Sequence, residues 1–141
     1  MTMLTLMFEI EIEPWALDLT SVETLLPAIA IAEPADKLAE SLAGFVDFRG
    51  ARMPVFDLRK ILGKGMSGRA FGTRYAVYDI GAENFKFCAV IVERAASVAE
   101  ISEMEIEPAE GGGAFEFFNR RGCKIPLVRS KWLTDIMCAK I

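Results

Sequence analysis

The chain has 141 residues, 52% of them hydrophobic, with a mean hydropathy of +0.30 and a net charge of −4 from 16 basic and 20 acidic side chains. That length suits one compact unit over residues 1–141, and basic residues never run longer than two, which argues against nucleic-acid binding. The absence of histidine removes the commonest general base, the usual catalytic triads and most zinc sites together.

Three cysteines, Cys88, Cys123 and Cys138, stand at wide spacings. They make neither a metal-ligand pattern nor a disulfide framework, and they fit a reducing cytoplasm. The N-terminus carries no basic segment ahead of its apolar stretch, so it does not read as a signal peptide. The longest apolar run, 25–32, is interrupted by Pro27 and is too short to span a bilayer. No direct membrane insertion is expected.

Residues 3–12 are rich in β-formers and predict an opening strand, with a turn at Glu13-Pro14 and a second strand over Trp15–Leu19. Thr20 and Glu23 have capping-box spacing, which predicts a helix from Thr20 that Pro27 ends. Glu33-Pro34 predicts the start of another short helix that Gly44 stops, with Leu38 and Leu42 on its apolar face. Residues 45–49 and 52–56 predict a hairpin that turns at Gly50-Ala51. Pro54 has no N–H to give to a ladder, so it belongs at an edge or a bulge. Asp57 predicts the cap of a short helix, Leu58–Leu62, stopped by Gly63.

A glycine-rich loop follows over Gly63–Gly72. Strands are expected at Tyr75–Ile80, Phe85–Val92 and Val98–Ile106, then an acidic, glycine-rich loop at 107–113. A second hairpin, Phe115–Val128, is expected to turn at Gly122-Cys123. Ser130 predicts the cap of a last helix with Trp132, Leu133, Ile136 and Met137 on one face. Many short strands and few short helices make the fold class mainly β.

The two hairpins carry one pattern. Arg49-Gly50 answers to Arg121-Gly122, Arg52 to Lys124, and Met53-Pro54-Val55 to Ile125-Pro126-Leu127. An internal repeat at about half the chain length implies two similar β units from one polypeptide.

Candidate chemistry is sparse. Gly63-Lys64-Gly65-Met66-Ser67-Gly68 matches G-x-G-x-x-G, but a dinucleotide site needs a strand before the motif and a helix after it. Here the expected order is the reverse, and a plain loop fits better. The acidic trios Glu9, Glu11, Glu13 and Glu103, Glu105, Glu107 have strand spacing, which a solvated strand face explains. Cys88 lies in an apolar strand and reads as a small core residue. Arg49 stands beside a tight turn, either as an ordinary turn arginine or as a residue that fixes a groove or meets a partner. No active site is visible, and the chain reads as a binding module without cofactor or metal.

The segment Gly44-Phe-Val-Asp-Phe-Arg-Gly-Ala-Arg-Met-Pro-Val-Phe-Asp-Leu-Arg-Lys-Ile-Leu-Gly63 strongly resembles the CheW-like coupling domains of bacterial chemotaxis. Gly44, Arg49, Gly50, Pro54, Val55, Asp57, Leu58 and Leu62 fall in register with that family's G-V-x-N-L-R-G-x-x-x-P-V-x-D-L-R-x-x-L-G segment. Upstream, Trp15–Leu26 is similar to its aromatic-A-L-x-V-x-x-V-x-E-V-L segment. Three departures stand out: the motif's glutamate falls at Thr24, with Glu23 just before it, the asparagine before L-R-G is Asp47, and Pro34–Ala43 reads as more helical than the loop expected there.

The resemblance implies two five-stranded SH3-like β-barrel subdomains around a shared core. It also implies a non-enzymatic cytoplasmic adaptor that couples chemoreceptor signalling tips to a histidine kinase. One barrel would meet the kinase's regulatory domain, which has the same fold. The groove between barrels would take the receptor's cytoplasmic helical hairpin. The matching segments nominate Val22, Glu23, Leu26, Phe45, Val46 and Arg49 for partner binding. Two other functions stay open: a CheW-like scaffold in a non-motility signalling array, or a small ligand-binding β-barrel that uses the Gly63–Gly72 loop.

Overall fold

The computed structural model describes residues 1–27, 29, 31, 33–34, 41–65, 72–108 and 115–141. Along the chain run β1 (Thr2–Ile10), β2 (Glu13–Asp18), β3 (Val22–Pro27), β4 (Glu33–Pro34), β5 (Leu42–Phe48), β6 (Ala51–Asp57) and helix α1 (Leu58–Ile61). Then come β7 (Arg74–Asp79), β8 (Phe87–Val92), β9 (Ser97–Ser102), a 3-10 turn (Glu103–Glu105), β10 (Ile106–Glu107), β11 (Glu116–Arg120), β12 (Cys123–Val128) and helix α2 (Ser130–Ala139).

The strands form two sheets of the same design. One has the order β10-β11-β12-β2-β1-β9 and the other β4-β5-β6-β8-β7-β3. In each sheet the outermost strand at one side has only two residues, and the other five are longer. All neighbours are antiparallel except β12–β2 and β6–β8, which are parallel at equivalent places. A helix follows the corresponding strand in both: α1 after β6, α2 after β12. The mainly β fold with two SH3-like halves is therefore present, as two curled sheets that do not close into full barrels.

Three buried clusters explain the high apolar content. Leu6, Phe8, Trp15 and Leu17 from the first sheet meet Leu42, Phe45, Phe56, Tyr78 and Val90 from the second, with Leu133 and Met137 of α2 closing the layer. Each curled sheet also has a core of its own: Met53, Val55, Tyr75 and Val77 in one, Met3, Ala16, Phe118 and Leu127 in the other. A strand that is buried on both faces needs consecutive apolar residues rather than alternation. Val55 and Phe56 show this, since neither is exposed and each enters a different cluster.

Turn positions differ from the expectation by one or two residues. The first hairpin turns at Arg49-Gly50, because Phe48 pairs with Ala51, and the φ values of +50° and +78° fit a type I′ turn. The second turns at Arg121-Gly122 with φ +51° and +77°. The opening hairpin turns at Glu11-Ile12 instead of Glu13-Pro14, since Ile10 pairs with Glu13. Hence neither acidic trio lies on one strand face: Glu11 is in a turn, and Glu103 and Glu105 lie in the 3-10 turn that interrupts the strand expected over 98–106. Glu105 closes a capping box with Ser102 there.

Pro54 and Pro126 each stand one residue before a parallel ladder begins, at Val55 and Leu127. On that side no N–H is called for, so both prolines fit inside sheets without breaking a ladder. Asp57 caps α1 as expected, accepting from the Arg59 N–H at 3.0 Å.

The helix expected from Thr20 is strand β3. Asp18 Oδ1 accepts from both the Thr20 N–H (2.9 Å) and the Thr20 hydroxyl, so Thr20 serves a turn and not a helix cap. The helix expected to open at Glu33-Pro34 is contradicted at both ends: those residues pair with Phe45 and Gly44, and Leu42 and Gly44 lie in β5. Its middle, 35–40, lies outside the described residues, as do 109–114 of the acidic loop. Ser130 begins α2 but does not cap it with its own side chain. Its N–H reaches Asp18 Oδ2 at 3.2 Å and its hydroxyl donates to the Asp18 carbonyl at 2.7 Å, so the cap comes from the distant β2 strand.

Candidate partner-binding site

Arg49 stands at the first position of its type I′ turn, where a left-handed backbone carries the side chain out of the sheet. Its Nη1 donates to Glu23 Oε1 at 3.0 Å. Glu23 is available because β3 bulges there: Val22 pairs with Tyr78 and Thr24 with Val77, so Glu23 is the extra residue. The guanidinium also lies 4.8 Å from the Phe48 ring centre and 5.7 Å from that of Phe87. These two rings meet edge to face at 5.0 Å and form the floor. Lys86 approaches Phe87 at 5.4 Å. The arginine and glutamate side chains are 54% and 40% exposed, so the pair is open to a partner and adds little stability of its own.

The other nominated residues divide by exposure. Val22 and Leu26 are half-buried, but the bulge between them puts them on different faces: Val22 packs on the shared core and Leu26 on the second sheet's own core. Phe45 and Val46 are 6% and 3% exposed and point into the shared core and the second sheet's core respectively. Phe45 is clamped between Phe85 (6.0 Å, stacked) and the Arg52 guanidinium at 3.7 Å. Glu23, Arg49 and half-buried Leu26 thus offer surface on one face of the second sheet with Val46 behind them, whereas Val22 and Phe45 lie on the opposite face, toward the shared core. The sequence reading missed Phe48 and Phe87. Their signal was an aromatic immediately before the Arg-Gly turn and another opening the neighbouring apolar strand.

Elsewhere the structure offers little chemistry. Burial pushes the Cys88 thiol up to about 12, with Cys138 adding a smaller part. A thiol so held is inert. Tyr78 is also pushed up by burial, with the Asp18 carboxylate contributing. Among the described residues no group of His, Cys, Asp and Glu could hold a metal ion, and no helix is long and apolar enough to cross a membrane. After Gly72 the chain enters strand β7 and not a helix, so the context of a dinucleotide loop is missing. Residues 66–71 lie outside the described residues.

Comparison with known proteins agrees with this geometry. The solved structure of the scaffolding protein TtCheW from Thermoanaerobacter tengcongensis superposes with a TM-score of 0.76 at 23% identity, covering 92% of this chain and 86% of that one. At that identity the likeness speaks for the fold. No curated protein sequence matches the chain. The family model described as the CheW-like domain matches residues 4–120, most of the sequence, and ends just before the second Arg-Gly turn. The chain therefore belongs to the CheW-like domain family.

Proposed function

We propose that this protein is a non-enzymatic cytoplasmic adaptor that couples chemoreceptor signalling tips to a histidine kinase. The observation that carries the reading is the exposed Arg49–Glu23 pair over the Phe48 and Phe87 rings. A charged pair over an aromatic floor is a recognition surface: the arginine can exchange its carboxylate for one on a partner, and the buried rings hold the guanidinium from below. Beside it, Leu26, half-buried on the same core as Phe48 and Phe87, offers apolar contact to a helix laid against this face, with Val46 behind it, while Val22 and Phe45 lie on the opposite face. The helical hairpin of a receptor is the partner assigned to this face. The regulatory domain of the kinase is assigned to a barrel surface elsewhere. Residues 1–141 act in this reading as one unit of two intertwined halves.

The test is titration of the protein with a receptor cytoplasmic hairpin and with a kinase regulatory domain, wild type beside Arg49→Ala. The variant is expected to bind the hairpin about tenfold more weakly or worse. Its circular dichroism spectrum and melting curve should stay close to wild type, since an exposed ion pair contributes at most about 1 kcal/mol. Hairpin binding unchanged by the substitution would refute the assigned site.

A further inference from the structure

Among the described residues, three two-residue turns have both central residues at positive φ, and they differ in one way. Arg49-Gly50 and Arg121-Gly122 place glycine second, at +78° and +77°. Glu11-Ile12 places isoleucine there, at +64°. Left-handed backbone is strained for any L side chain and is exceptional for a β-branched one. Nothing inside the molecule compensates, because Ile12 is 89% exposed. The turn is tied to the other half by one ion pair. Glu11 pairs with Arg59 Nη2 at 3.1 Å, and Arg59 comes from α1 in the other sheet. Arg59 in turn donates to the Lys64 carbonyl at 2.7 Å and pairs with the buried Glu93 at 3.4 Å. A strained, solvent-exposed isoleucine is thus propped at the end of a braced hairpin.

We propose that Ile12 is an apolar contact point kept for association with a globular protein partner and not for the fold. Within the adaptor reading, on which this assignment rests, that partner is the kinase's regulatory domain. Position argues for this choice. Arg59 lies in α1, just past the end of β6 opposite the Arg49 turn, and β6 is seven residues long, roughly 20 Å at strand spacing. The Ile12 tip therefore lies remote from the face assigned to the receptor helices. A single projecting side chain also suits a socket in a folded surface better than the convex side of a helix. Exposed Glu11 and Glu13 flank it, so the socket's rim is expected to be neutral or basic.

The experiment uses Ile12→Gly, with binding to the regulatory domain and to the receptor hairpin measured separately, alongside melting temperature and sedimentation. Glycine relieves the backbone strain, so the melting temperature is expected to rise. Binding to the regulatory domain should fall about tenfold through loss of one buried side chain, with hairpin binding unchanged. Ile12→Val restoring most of the affinity would support an apolar contact. Wild-type affinity for the regulatory domain in the glycine variant would overturn the proposal. So would a wild-type self-association that the variant abolishes, since the occupant would then be a second copy. Hairpin binding that responds to Arg49→Ala, without any binding of wild type to the regulatory domain, would sink this inference and leave the Arg49 site standing. Binding of neither partner would end both.

Discussion

The β5–β6 and β11–β12 hairpins are the same device used twice, and they part company around the turn arginine. Both have Arg-Gly turns with nearly equal φ values. In both, a cation sits over the aromatic ring that faces the strand proline: Arg52 over Phe45 at 3.7 Å, Lys124 over Phe117 at 3.8 Å. Yet Arg49 has Glu23 opposite it and two rings beneath it, whereas Arg121 has neither among the described residues. The rings come from β5 and β8, and the carboxylate comes from the neighbouring edge strand. In the second sheet, β3 carries the bulge that aims Glu23 at the turn. In the first, β9 occupies the equivalent place and pairs with β1 in unbroken register. The repeat supplies the frame, and two aromatic rings together with one extra residue in an edge strand turn one of its two copies into a candidate site.

The comparison is broken most forcefully at the aromatic pair. Phe45 fills the core shared by both sheets, while Phe117 belongs to none of the three buried clusters formed by the described residues. Phe45→Ala is expected to cost about 3–5 kcal/mol and Phe117→Ala clearly less. Urea denaturation of the two variants measures this. Equal costs would mean that the two hairpins contribute alike to the core.

A second asymmetry is chemical. The second sheet gives the shared core Cys88 and Tyr78, both held neutral by burial, whereas the first gives it Phe8 and Trp15 from the strands in the equivalent positions. Both groups have a folded pKa above the unfolded one, so the folded state retains protons that the unfolded chain releases. Their contribution is complete below the unfolded values and is lost as pH rises. For Cys88 the loss begins near 9 and continues to about 12, at about 1.4 kcal/mol per pH unit. Tyr78 adds to it above 10. Melting temperatures should therefore be flat from pH 7 to 8.5 and fall steeply above 9, and Cys88→Ala should make that fall shallower. The Tyr78 hydroxyl has no hydrogen-bond partner among the described residues.

Much of this architecture was legible in the sequence. Turn chemistry, the paired prolines and the apolar runs located both hairpins, α1, α2 and the strong β7–β8 pair. The exact turn residues were not legible, because Gly can serve either central position of a tight turn and only strand register decides between them. Thr20 and Glu23 had the spacing of a helix cap, but Asp18 two residues earlier captured Thr20, and β7 offered the following residues a ladder. Here tertiary pairing overrode a local signal worth about 1 kcal/mol. The candidate site was half visible. Arg49 stood out through the family motif, and Glu23 looked like a departure from it. The bulge that makes Glu23 the partner depends on pairing between β3 and β7, which sequence spacing does not encode.

The smallest expected effect sharpens the comparison most. Glu23→Gln converts the equipped turn toward the bare one while keeping size and backbone. Coulomb attraction is lost between two side chains that are 54% and 40% exposed, where water already screens most of it. Stability should change by less than about 1 kcal/mol, within the range of ordinary surface substitutions. Hairpin binding, by contrast, separates two roles for the carboxylate. If Glu23 only holds Arg49 in place, the glutamine still accepts its hydrogen bond and affinity for a receptor hairpin stays within about twofold of wild type. If Glu23 competes with an acidic group on the partner, freeing the arginine raises affinity and makes it fall more steeply with salt. Titration at two ionic strengths distinguishes these outcomes. A loss of affinity as large as that expected for Arg49→Ala would instead make the glutamate itself a contact, and the site would then be the pair and not the arginine alone.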